Sequence, residues 1–79
     1  MALFNGLLLN KIFKQTEKYY DSSSRHTFRQ SIGNDREIEI EAGLGSVSIS
    51  VFKNGMLVEQ HADLDPPDAF EIIDAIIRE

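Results

Sequence analysis

The sequence contains no cysteine and no tryptophan, only two prolines and five glycines among 79 residues, and no apolar run long enough to span a bilayer. Each shortage excludes something. Without cysteine there is no disulfide framework and no thiolate metal site, so stability must come from packing, as a reducing cytoplasm permits. A bilayer span needs about 20 predominantly apolar residues, which argues against a membrane protein. The opening stretch has no basic residue before its apolar part and no small-residue cleavage site after it, which argues against a secretory signal. Both prolines are adjacent, Pro66 and Pro67, leaving long stretches free of helix and strand breakers. The length suits one domain, residues 1–79.

Charge is unevenly placed. Residues 1–33 hold Lys11, Lys14, Lys18, Arg25 and Arg29 against Glu17 and Asp21, a local balance of +3 (5 − 2), whereas the remainder holds three basic and eleven acidic residues, a balance of −8. The net charge of −5 argues against general nucleic-acid affinity, because phosphate contacts need clustered Lys and Arg. Only the first third offers a basic surface.

The strongest local signal is residues 46–61, SVSISVFKNGMLVEQH, where two alternating runs flank Asn54-Gly55. Asn-Gly suits a two-residue turn in which both central residues have positive φ. The simplest register then pairs Lys53 with Met56, Val51 with Val58, Ile49 with Gln60 and Val47 with Ala62 on one side. Ser46, Ser48, Ser50, Glu59 and His61 lie on the other, with Phe52 opposite Leu57 near the tip. Upstream, EIEIEA places Ile38, Ile40 and Ala42 on one side and Glu37, Glu39 and Glu41 on the other. A turn at Gly43-Leu44-Gly45 brings Ala42 to Val47, Ile40 to Ile49 and Ile38 to Val51. For HTFRQSI, a loop centred on Asn34, Asp35 and Arg36 pairs Ile32 with Ile38 and Phe28 with Ala42, and sets Arg29 opposite Glu41.

Helices bracket the strands. Phe4, Leu8 and Ile12 recur at four-residue spacing in residues 2–20, with Leu9 and Phe13 beside them, and Gly6 marks a weak first turn. Leu7, Leu8 and Leu9 point in directions about 100° apart, so this helix is greasy over most of its circumference. Residues 21–24, Asp-Ser-Ser-Ser, end it. A second helix begins with Asp65 as the cap and Pro66 at the first helical position, and carries Ala69, Ile72, Ile73 and Ile76 as its apolar stripe. The expected fold is a two-layer α+β domain: a four-stranded antiparallel meander with both helices on one face, in the order α-β-β-β-β-α.

Chemistry is scarce. His26 and His61 fall on different strands, and the serines line a flat solvated face, so no catalytic residues are assigned and an enzyme is not expected. Asp63, Asp65 and Asp68 lack the glycine and downstream acid of an EF-hand loop, so neither a metal nor a cofactor is expected. The glutamates 37, 39 and 41 would stand about 6.7 Å apart along one strand. A charged outer face of this kind commonly just prevents sheets from stacking. It could also bind a basic protein surface, with Phe52 and Leu57 as an apolar anchor at the hairpin tip. The expectation is therefore a small non-enzymatic interaction module, of the regulator or inhibitor type that phages and plasmids encode. Arg29, Glu37, Glu39, Glu41, Phe52, Leu57 and Glu59 would form its partner-binding face, and Phe4, Leu7, Leu8 and Leu9 a seam for self-association as a dimer. The alternative is a nucleic-acid-binding accessory protein using Lys11, Lys14, Lys18, Arg25 and Arg29.

Overall fold

A computed structural model describes residues 6–79. The first helix, α1 (Gly6–Tyr20), is followed by β1 (His26–Gly33), β2 (Arg36–Gly43), β3 (Ser46–Lys53) and β4 (Met56–Leu64), and the second helix, α2 (Pro66–Arg78), closes the order α-β-β-β-β-α. The strands form one antiparallel sheet with neighbours in chain order. All three hairpins turn on two residues with positive φ: Asn34 and Asp35, Leu44 and Gly45, Asn54 and Gly55. Such turns match the right-handed twist of the strands they join.

The core lies between the helices and the two central strands. Ile38, Ile40 and Ala42 of β2 and Val47, Ile49 and Val51 of β3 are buried against Leu9 and Ile12 of α1 and Ala69, Ile73 and Ile76 of α2. The β2–β3 register is the one that alternation demands, with Ile40 opposite Ile49 and Ala42 opposite Val47. Thr16 is fully buried among these side chains, and its hydroxyl donates 2.7 Å to the Ile12 carbonyl one turn back. That local bond removes the cost of burying the hydroxyl.

The edge strands depart from expectation in instructive ways. The β1–β2 loop has two residues where three were expected, and a further one-residue irregularity lies between Ser31 and Gly33, so Phe28 pairs with Ile40 and Arg29 with Glu39. A shift of two residues keeps Phe28 on the helix side, which is why hydrophobic pattern alone did not distinguish the two registers. In β4 the shift is of one residue. Phe52 pairs with Leu57 as expected, but Val51 pairs with Glu59 and Ile49 with His61, so Val58 is an extra residue. Glu59 and His61 therefore stand on the helix side and not on the open face. A second irregularity, where Asp63 has a φ of 56°, brings Leu64 opposite Val47. Between these bulges the sequence EQHA has one small apolar residue, so nothing in its pattern fixes which side faces in.

Several other expectations on the helices change. Leu9 is buried in the core and Leu8 packs against it, so of the expected self-association group only Leu7, 85% exposed, is fully presented among the described residues. Phe4 lies outside the described residues. Asp65 occupies the cap position of α2, but its side chain makes no capping bond. Pro66 and Pro67 carry no N–H, so two of the donors a cap would serve do not exist. The other end of α2 is better tied: Arg36, at the start of β2, donates 3.2 Å to the Ile76 carbonyl and pairs with Glu79. A cation at the negative end of a helix dipole contributes about 0.3–1 kcal/mol.

Candidate functional site

The sheet face opposite the helices is open and polar. Alternation puts Thr27, Arg29 and Ser31 of β1, Glu37, Glu39 and Glu41 of β2, and Ser46, Ser48, Ser50 and Phe52 of β3 on it, because the opposite set is held in the core. From β4 it takes Leu57, opposite Phe52, and Gln60, opposite Ser50. A shallow concavity of about 170 Å³ runs across its middle, lined by Glu39, Glu41, Ser48, Ser50, Gln60 and Ala62. Ser50 is nearly buried at its floor and receives the Gln60 amide at 3.4 Å.

Two arginines divide the carboxylates between them. Arg25, just before β1, reaches over the near end of the face and donates 2.6 Å from Nε to Glu41, with further bonds to the Gly43 and Glu41 carbonyls and the Ser46 and Ser48 hydroxyls. Its fork is fully engaged within the chain. Arg29 pairs with Glu39 at 3.0 Å, and its guanidinium carbon lies 4.3 Å from the centre of the Phe52 ring. Cation–π contacts at exposed positions contribute about 0.5–1 kcal/mol. Glu37, opposite Phe52, has no ion-pair partner among the described residues, so negative charge remains beside the aromatic ring.

Apolar side chains are left exposed around the far end of this face. Leu57, 51% exposed, lies on it opposite Phe52, while Met56, 71% exposed and paired with Lys53, points to the other side of the hairpin tip, and Val58, 59% exposed, is the bulge residue that follows. Sequence reasoning named Phe52 and Leu57 but missed Met56 and Val58, since it placed Val58 in the core opposite Val51. The only signal for the bulge was the polar character of the residues that follow. The Asn54 amide donates 2.9 Å to the Asp35 carbonyl, which pins this tip to the neighbouring β1–β2 turn. The patch is thus presented on a braced hairpin end.

The remaining expected site residue, Glu59, lies on the other face. Its carboxylate is 2.6 Å from His61 Nε2, two residues along the same edge strand. The helices pack on β2 and β3, so this side of β4 stays partly open and the pair keeps contact with water. His26 sits at the opposite edge, in β1, stacked on Tyr19 at 4.3 Å with Nε2 3.0 Å from the Ser22 hydroxyl and 3.4 Å from that of Ser24. The two imidazoles are thus separated by the width of the sheet, and each is engaged locally. Among the described residues no group of three or more His, Asp or Glu side chains is placed to hold a metal ion. No described helix is long and apolar enough to cross a membrane.

Set against known proteins, the chain matches no family model, and no curated protein or solved structure is significantly similar to it.

Proposed function

We propose that this chain is a small non-enzymatic interaction module that docks onto a protein partner through its open sheet face and the β3–β4 tip. The observation that carries the reading is the juxtaposition at that tip. Leu57 stands exposed opposite Phe52, with exposed Met56 and Val58 on either side of it in the chain, and Glu37, Glu39 and Glu41 continue from Phe52 and Leu57 along the same face. An apolar anchor inside a charged surround divides the work of an interface: the anchor supplies affinity, and the charges steer and orient. The partner surface would carry an apolar socket next to Lys or Arg, since the uncompensated charge of the face is negative. Glu59, on the helix side, drops out of this surface, and Met56 and Val58 border it at the hairpin tip.

The nucleic-acid alternative is weakened from the same geometry. Arg25 and Arg29 are held by Glu41 and Glu39, which leaves Lys11, Lys14 and Lys18 on α1 as its basis. Three lysines on one helix neutralise few phosphates, and specific binders typically make more contacts.

The test is affinity capture with the tagged chain. Replacing Phe52→Ala together with Leu57→Ala should abolish capture of a discrete partner while the amide spectrum stays native. A second variant, Leu57→Ser with Val58→Thr, guards against an effect of Phe52 on folding, because both positions are mainly exposed. Unchanged capture by both variants would count against the reading.

A further inference from the structure

The sheet has two edges, and the chain treats them differently. β4 is interrupted by bulges at Val58 and near Asp63 and carries Glu59 and Asp63. Bulges and charge at an edge discourage pairing with another strand. β1 has one irregularity, between Ser31 and Gly33 next to its turn, but keeps unbroken register from His26 to Ser31, and among the described residues its outer edge pairs with no other strand. A regular strand with free N–H and C=O groups is a template for strand addition.

The chemistry above that edge selects what is added. On the helix side β1 presents His26, Phe28 and Gln30, of which Phe28 packs against the core while remaining partly accessible. Lys11 leans to the far end of this row, with Nζ 3.4 Å from Gln30 Oε1. Lys18 lies toward the near end, with Nζ 5.4 Å from the centre of the Tyr19 ring that stacks on His26. Neither lysine has a carboxylate partner among the described residues. The edge therefore offers an apolar centre with a cation on either side, and His26 and Gln30, four residues apart, span about 13 Å at the usual strand rise.

We infer that the outer edge of β1 takes an extended acidic peptide segment from a protein partner as a fifth strand. Its pattern is acidic-x-apolar-x-acidic: the apolar side chain covers Phe28, and the two carboxylates meet Lys11 and Lys18. The backbone ladder supplies affinity that is indifferent to sequence, and the flanking charges supply selection. A second copy of the chain fits the edge poorly. A two-fold axis through β1 would bring Lys11 and Lys18 of both copies together, and like charges facing each other destabilise. The β4 edge of another copy is bulged, as described. This surface lies on the other side of the sheet from the tip patch, so the inference does not depend on the proposed function.

Selection of random short peptides on the full chain tests the assignment. Selected peptides should carry carboxylates four residues apart around an apolar residue. Lys11→Glu with Lys18→Glu should weaken the best of them by about tenfold or more, the scale of two close charge pairs. Amide exchange in the complex should slow along His26–Ser31 and not at Asn54–Val58, and N-methylation of the peptide should abolish binding. No consensus, a basic consensus, or protection confined to the tip would overturn the inference. So would a concentration-dependent dimer that protects β1 without peptide. Retention on oligothymidylate through the same lysines, with β1 amides unprotected and no peptide selected, would assign them to nucleic acid instead.

Discussion

The two ends of the sheet are built on opposite principles. At one end the last turn of α1, the connector at residues 21–25 and the β2–β3 turn are locked together. The Leu44 amide donates 2.9 Å to the Ser22 carbonyl and the Gly45 amide 3.0 Å to that of Tyr20, so the turn satisfies carbonyls that the helix end would otherwise leave open. Arg25 crosses the same junction and holds Glu41, Gly43, Ser46 and Ser48. At the other end, the β3–β4 tip exposes Met56, Leu57 and Val58 and, among the described residues, is tied to the neighbouring turn by one backbone bond, with Arg29 lying over Phe52 beside it. Polar groups and backbone are consumed at the first end, and apolar surface is left over at the second. The difference separates residues kept for folding from residues free to bind.

The largest effect should come from breaking the locked end at Gly43. This residue is buried, its φ is +148°, and a Cβ there would run into the Ser24 carbonyl oxygen and come within 2.7 Å of Arg25 Cα. The obstacle is backbone on both counts, so no side-chain rotation relieves it. Gly43→Ala should destabilise the protein by about 2–4 kcal/mol, the range for strain at a special backbone position combined with overpacking. Urea unfolding would register it as a lower midpoint. A loss below about 0.5 kcal/mol, the level of ordinary surface substitutions, would show that the connector yields easily and that the two ends do not differ as argued.

That lock also marks where sequence reading stopped. The central strands were legible because EIEIEA and SVSISV alternate cleanly and face each other across a short turn, so one register satisfies every apolar residue. The element order followed from the same periodicity. Gly43-Leu44-Gly45 read only as a turn, because its contact with Ser24 and Arg25 joins segments some 18 residues apart and leaves no local trace. Arg25 likewise read as a free cation. On the open face, Phe52 opposite Leu57 and the row of Glu37, Glu39 and Glu41 were correctly placed by alternation. Glu59 and His61 were not, since the bulge at Val58 is set by strand twist and by packing at an edge that the helices leave uncovered. Alternation specifies the strands that are buried on one face and loses its hold where burial ends.

A subtler change sharpens the contrast by making the locked end tighter. Leu44 adopts a φ of 53°, a left-handed conformation that costs an ordinary L-residue about 1–2 kcal/mol. The amide bonds from Leu44 and Gly45 hold it there, while its side chain stays largely exposed. Asparagine tolerates this region, and Asn-Gly is the preferred pair for such a turn. Leu44→Asn should therefore raise stability by about 0.5–1 kcal/mol, with the urea midpoint rising and the slope unchanged. A fall in stability would mean that the Leu44 side chain contributes packing that outweighs the strain.

The smallest effect is expected at the tip, and its smallness is the informative result. Leu57 and Val58 are each more than half exposed, and neither belongs to the buried cluster or packs against it. Replacing them with Ser and Thr removes little buried area, so little burial free energy is lost. The same Leu57→Ser, Val58→Thr pair should therefore shift stability by no more than about 0.5 kcal/mol, as for surface positions without special geometry. If it does so and partner capture is lost, stability and binding have been separated at the place where the chain leaves apolar surface unburied. A loss of about 2 kcal/mol or more, on the scale of a core truncation, would mean instead that Val58 anchors the bulge and that the tip is structural. The twist of β4 depends on that bulge, so such a result would also move Glu59 and His61, and their amide shifts would distinguish a collapsed edge from a merely less greasy one.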